Sequence, residues 1–202
     1  GMYDPRQVSK PIGNPSDLAG RNPWMAVERK NWCVDLMGEM NIQYARAQYF
    51  ALITLLDAQL GRILNFLEKH ALLENTIIVV TADHGDYLGD HGMFFKRYLH
   101  DSSTRIPLII SSPAFADKSL TYERPVGQED IVPTIYELAS IAEPPGMDGI
   151  SLSPTMENPL KKHKSLVISQ YDYKDGLTIM ARNEKYKYSF ARFDSTEELY
   201  DM

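Results

Sequence analysis

The chain has 202 residues, 44% hydrophobic and 24% charged, ordinary globular usage and enough for one sizeable core. Lys and Arg number 21 against 27 Asp and Glu, a formal charge of −6, so there is no electrostatic footprint for nucleic acid or an anionic membrane, and an anionic ester would need a local positive site. The single cysteine, Cys33, excludes an intramolecular disulfide and a cysteine metal cluster and leaves the compartment open.

No apolar run approaches the roughly 20 residues of a membrane span, and the N-terminus lacks a charged-then-apolar leader pattern. Gly1 before Met2 reads as the remnant of an expression tag, so the natural start can lie upstream. Residues 3 to 27 carry Pro5, Pro11, Pro15 and Pro23 with Gly13, Asn14 and Gly20. Proline removes backbone donors, and the stretch is expected to form an irregular surface arm. Glu28 to Met40 suggests a short helix without a clean period. In residues 42 to 70, Tyr49, Ile53, Leu56, Leu60, Ile63 and Leu67 recur at steps of four and three, which predicts an amphipathic helix with this stripe in the core.

Ile77 to Val80 is an unalternating, β-branched run too short for a normal helix, and Ile106 to Ile110 is a second. Such runs predict strands covered on both faces, here as parallel neighbours in a three-layer α/β domain. Between them lies a loop rich in glycine and ionisable groups, opening with Asp83-His84-Gly85 and continuing through Asp86, Gly89, Asp90, His91 and Gly92 to Lys96. Ligands collect beyond the carboxyl ends of strands in open α/β sheets, so chemistry is expected here. Asp83 and His84 can both reach one ion only if the strand ends at Ala82 and turns, and Gly85 allows that turn.

After a polar loop, Asp130 is placed to cap a helix with Ile131, Ile135, Leu138 and Ala142 on one face, Pro133 in its first turn and Pro144-Pro145-Gly146 as its stop. Lys161-Lys162-His163-Lys164 is expected to be a solvated loop. From Ser165 the runs Leu166 to Ser169, Leu177 to Ala181 and Tyr186 to Phe190 predict a small antiparallel sheet, with a hairpin turn at Asn183-Glu184. The division expected is a catalytic α/β part over residues 1–160, with an N-terminal arm to residue 40, and a small antiparallel subdomain over 161–202.

The string TADHGDYLGDHG, a lysine four residues after its last glycine, and the RIPLII that follows resemble the C-terminal half of the sulfatase family, in the alkaline phosphatase superfamily. YARAQYFALITLLDAQLGRIL and LLENTIIVV before it, and QEDIVPTIYELASIAEPPGMDGISL and EELYDM after it, extend the likeness from about Tyr44 onward, while residues 6 to 40 lack a clear counterpart. The resemblance implies a partial α/β/α fold of the alkaline phosphatase type with a small C-terminal antiparallel sheet. It also implies hydrolysis of sulfate esters, with a phosphodiester or phosphonate monoester hydrolase of the same superfamily, or a truncated non-catalytic module, as alternatives.

By the same resemblance Asp83 and His84 are metal ligands and Lys96 contacts sulfate, its point charge suited to the oxygens and to the charge growing on the leaving oxygen. His91 is expected to orient the loop rather than act as a direct acid. Calcium is the metal the family implies, with manganese or zinc behind it because His84 offers nitrogen. His100 is expected at the surface, Arg105 in an ion pair at the start of the second strand, and Cys33 in a core or helix. The family's nucleophile is a formylglycine made in a Cys/Ser-x-Pro-x-Arg signature; no such signature occurs in these 202 residues, and the formylglycine is expected only in a missing N-terminal half. Tyr3-Asp4-Pro5 resembles a family segment that follows a functional histidine, so the chain is expected to begin just past one. The expectation is therefore half of a catalytic centre, inactive in isolation, with exposed sheet surface that a second copy could cover.

Overall fold

The computed structural model describes residues 1–13, 23–172, 177–192 and 195–202. It divides into two compact units, one of Gly1–Leu73 with Asp83–Ile106, the other of Glu74–Ala82 with Pro107–Met202. Asn14, Pro15 and Gly20 of the expected arm lie outside the described residues.

In the first unit, helix α1 (Pro23–Asn31) leads through a 3₁₀ turn at Val34–Leu36 into helix α2 (Glu39–Lys69). The core of this unit is Met25, Tyr87, Met93 and Tyr98, with Trp32 packed against it. Three of those four residues come from the loop expected to carry the chemistry, so its backbone is held by its own buried side chains. Most described residues of the expected surface arm are exposed, with exceptions. Met25 is buried, Val8 nearly so, and the Ile12 amide donates to Asp90 Oδ1 at 3.1 Å, because a proline-rich segment without ladder bonds can still supply donors to a neighbour. Cys33 is neither core nor helical: it is exposed, at φ 54, in the joint between α1 and the 3₁₀ turn.

Helix α2 matches the periodic segment, but its stripe is not the core expected. Ile53, Leu56 and Ile63 are exposed, and only Gln43 and Ala47 of the helix are buried. Periodicity identifies a face that wants cover without saying what supplies it. A window of α2 has mean hydropathy 1.4, so by length and composition alone this helix could cross a membrane, contrary to the expectation that no segment approaches that limit.

The second unit contains two sheets. Strands β1 (Ile78–Thr81) and β2 (Leu108–Ser111) are the two apolar runs, and they do pair, but antiparallel, with Thr81 opposite Leu108 and Ile78 opposite Ser111. The parallel expectation fails for a physical reason. An unalternating run reports apolar surroundings, not strand direction, and the intervening residues return directly to the partner strand without a crossover helix. Nor are both faces covered: β1 is half-buried up to its exposed Thr81, and Ile109 of β2 is 61% exposed. The base of the pair is closed by Thr81 Oγ1 donating to Pro107 O at 2.8 Å, and Gln128 Nε2 donates to Ala82 O at 2.9 Å.

Helix α4 (Ile131–Leu138) follows the short α3 (Asp101–Thr104) of the first unit and carries Pro133 in its first turn as expected. It ends earlier than the proline stop, at Leu138, two residues before Ser140, whose φ is 56. The short α5 (Ser153–Glu157) precedes a four-stranded antiparallel sheet of β3 (Val167–Tyr171), β4 (Thr178–Arg182), β5 (Tyr186–Ala191) and β6 (Thr196–Asp201), in that spatial order. The β4–β5 hairpin turns where expected, with Asn183 Oδ1 accepting from the Lys185 and Tyr186 amides at 2.8 and 2.6 Å.

Asp130 does not cap α4 with its side chain. Its carboxylate is fully buried and accepts from the Gly127 and Ile150 amides at 3.1 and 2.9 Å, from His163 Nε2 at 3.0 Å and from Lys164 Nζ at 2.6 Å. The His163 and Lys164 part of the basic cluster is thus drawn inward rather than solvated, since a buried carboxylate needs charged and polar partners. Burial pushes the Asp130 carboxyl up, but the Ile150 amide, Lys164, the Gly127 amide and His163 together hold it below the ordinary carboxylate range. Burial pulls the Lys164 ammonium down, and Asp130 and Glu129 outweigh it, so that it is raised.

Candidate active site

The strand ends at Thr81 and the chain turns at once. Asp83 Oδ1 accepts from the His84 amide at 3.0 Å, which fixes the carboxylate beside the next residue. The Gly85 amide donates to Ser103 O at 2.7 Å, and a Cβ on Gly85 would collide with the Ser102 carbonyl, so the close backbone approach that sets this turn requires glycine. Ser103, itself buried, also donates through Oγ to Lys96 O at 2.9 Å. One residue of α3 therefore holds both the Asp83-His84-Gly85 turn and the backbone of Lys96.

His84 Nδ1 lies 2.7 Å from Gly85 O. A carbonyl only accepts, so Nδ1 donates its hydrogen to Gly85 O, and the ring's other nitrogen is Nε2. Asp83 Oδ2 stands 3.1 Å from that Nε2, and Lys96 Nζ contacts the same nitrogen. Three of the four residues singled out from the sequence are thus brought to one point. The Asp83 side chain is 82% exposed there and that of His84 34%.

His91 belongs to a different part of the loop. It has φ 52, its amide donates to Ile12 O at 2.8 Å, and its ring lies 5.2 Å from that of His100. His100 is not the surface group expected: it is half-buried, with Nδ1 2.5 Å from the hydroxyl of the fully buried Tyr87. The adjacent Asp90 ties this region down, its Oδ1 accepting from Arg46 of α2 at 3.1 Å and its Oδ2 from Ser102 Oγ at 2.8 Å, while Arg46 also donates to Leu88 O at 3.0 Å. Sequence reasoning missed Arg46 and Ser103, because neither carries a motif and both act through contacts distant along the chain. Arg105 is exposed and makes no ion pair among the described residues, contrary to expectation.

An aspartate oxygen and an imidazole nitrogen 3.1 Å apart, with the ring's Nδ1 held by a carbonyl, are a chemically suitable pair of ligand types. Among the described residues no group of three or more His, Cys, Asp or Glu gathers, so this pair alone does not make a metal site.

The model of the sulfatase family matches residues 7–141, and that for the C-terminal part of N-sulphoglucosamine sulphohydrolase matches residues 89–202. The chain is 36% identical to an N-acetylglucosamine-6-O-sulfatase of Bacteroides thetaiotaomicron over 69% of its own length and 26% of that protein. It is 33% identical to a Δ4,5-hexuronate-2-O-sulfatase of the same organism over 100% of its length and 46% of the relative. A phosphonate monoester hydrolase from Silicibacter pomeroyi superposes with a TM-score of 0.88 at 25% identity, covering 99% of this chain and 45% of that one. The chain spans less than half the length of each of these proteins. The α/β fold of the sulfatase type with a small antiparallel sheet at its C-terminal end, expected from the sequence, is borne out by this likeness along nearly the whole chain, and the chain belongs to the sulfatase family.

Proposed function

We propose that this chain is the C-terminal portion of a sulfatase-type sulfuric ester hydrolase, to which it contributes two ligands of a divalent metal, Asp83 and His84, and one sulfate-facing cation, Lys96. The observation that supports the reading is the convergence of Asp83 Oδ2, His84 Nε2 and Lys96 Nζ on one point at the end of β1. A bound divalent metal would act as a Lewis acid toward sulfate oxygens. Calcium stands first, as the family resemblance implies, with manganese or zinc next because an imidazole nitrogen suits them better. Asp83 and His84 hold their donor atoms toward the ion, and Lys96 neutralises a sulfate oxygen and the charge growing on the leaving oxygen. His91 serves to keep the loop in place through its packing on His100. The attacking group is not among these residues.

The test is a manganese titration of the chain followed by electron paramagnetic resonance. Asp83→Ala and His84→Ala should each abolish the weak binding of the ion, and Lys96→Ala should preserve or strengthen it while losing inorganic sulfate. Equal manganese binding by the wild type and Asp83→Ala would sink the assignment. The likeness to the phosphonate monoester hydrolase favours a second reading, hydrolysis of a phosphonate or phosphodiester at the same site. Relative turnover of an aryl sulfate and a phenyl phosphonate by a full-length protein containing this chain separates the two.

A further inference from the structure

Phe95, the residue before Lys96, has φ 66, a backbone region that bulky side chains rarely adopt. The conformation is held from both sides: its amide donates to Asp86 Oδ1 at 3.2 Å and its carbonyl accepts from the amide of the buried Tyr87 at 2.9 Å. A glycine would satisfy those bonds without strain. The ring is not recovered by the core either, because Phe95 is 55% exposed. It meets the half-buried Trp32 edge-on, centroids 4.8 Å apart at 78°. Trp32 is in turn faced by the Arg97 guanidinium, 5.1 Å from its ring centre, and Arg97 is fixed by Glu28 at 2.5 Å. A braced stack running Glu28, Arg97, Trp32, Phe95 thus ends in an aromatic ring presented to solvent, one residue from the proposed sulfate contact. Strain that the surroundings enforce, at a side chain left more than half exposed, is found at ligand clamps.

We propose that Phe95, backed by Trp32, is the wall on which the leaving group stacks, and that it takes the flat face of a ring, aryl or pyranose, carrying the sulfate ester that Lys96 meets. The inference rests on the proposed sulfate site. A ring face laid on Phe95 gains the contact area and the offset geometry that aromatic pairs favour, whereas a short alkyl sulfate gains little of either.

The variant is Phe95→Gly, which keeps the positive φ without strain, and its folding is confirmed by circular dichroism and thermal melting before binding is read. Binding is read by saturation-transfer NMR with four probes: 4-nitrophenyl sulfate, glucosamine 6-sulfate, ethyl sulfate and inorganic sulfate. In Phe95→Gly the affinity for one or both ring esters should fall roughly three- to tenfold, with ethyl and inorganic sulfate unchanged. Loss with the nitrophenyl ester alone assigns an aryl group, and loss with the glucosamine ester assigns a sugar. Ring esters bound as tightly by Phe95→Gly as by the wild type, an equal loss for ethyl sulfate, or no ring-ester signal at millimolar concentration overturns the inference. Lys96→Ala tests the site beneath it separately: if that variant binds inorganic sulfate as well as the wild type, the sulfate assignment fails whatever Phe95 does.

Discussion

Replacing Asp130 by asparagine should be among the most damaging isosteric changes available in the second unit. The carboxylate is fully buried and serves four donors, two amides at 3.1 and 2.9 Å, His163 Nε2 at 3.0 Å and Lys164 Nζ at 2.6 Å. Asparagine keeps the shape but turns one acceptor into an NH₂ group aimed at other donors, and leaves Lys164 without its closest counter-charge. A hydrogen bond to a charged group contributes about 1.5–3 kcal/mol, and breaking one side of a buried pair costs about 3–5 kcal/mol. Because the Lys164 side chain keeps 13% exposure and Glu129 remains 2.8 Å from it, the lower end, about 3 kcal/mol, is expected. In a chain of this size that corresponds to a fall in melting temperature of about 6–12 °C. Urea unfolding at neutral pH should show it as a lower midpoint at unchanged slope. The folded Asp130 carboxyl lies below its ordinary value of 3.8, so its contribution is present above that value and is lost as pH falls through the depressed folded value. The gap between wild type and Asp130→Asn should therefore close on acidification. A neutral-pH difference under about 1 kcal/mol, or a gap that stays open in acid, would refute the account.

Three further outcomes are expected. The isolated chain should not turn over an aryl sulfate with added calcium or manganese, since no nucleophile signature occurs in it; turnover abolished by Asp83→Ala would show an unrecognised nucleophile. Arg46→Met removes the donors to Leu88 O and Asp90 Oδ1, which should speed hydrogen exchange at the Gly89 and His91 amides about tenfold or more, and unchanged exchange would deny the brace its role. With Leu52, Ile53, Leu55, Leu56, Ile63 and Phe66 of α2 all exposed, light scattering should find the chain self-associated, and Leu56→Lys should raise the monomer fraction; a clean wild-type monomer would contradict this.

Much of this was legible in the sequence where the signal is local. The 3.6-residue stripe of α2, the two β-branched runs and the Asn183 turn all formed as elements, and Gly85 indicated the turn that lets Asp83 and His84 face one point. What failed to read out was whatever depends on a distant partner. The two apolar runs gave no sign of their antiparallel direction, because side-chain pattern reports environment and not polarity. Lys161-Lys162-His163-Lys164 looks like a charged loop until Asp130, more than thirty residues earlier, is seen beneath it. The positive φ of Phe95 has no signature at all, since a phenylalanine in a loop does not announce a strained backbone.

The Thr81–Leu108 register, closed by the Thr81–Pro107 hydrogen bond, brings the two ends of residues 82 to 107 together at one strand pair, while Arg46 and Ile12 hold the middle of that segment at Leu88, Asp90 and His91. Closing a loop of a few tens of residues costs about 3 kcal/mol of chain entropy, and here the cost is met once, at the β1–β2 base, rather than inside the loop. Sequence change within the segment, at Phe95 for example, then leaves the strand pair undisturbed, while Ser103 keeps the Asp83-His84-Gly85 turn and the Lys96 backbone together. Sequence variation is accordingly free to accumulate at the far end of the loop, while the strand pair is the part that cannot slip by one residue.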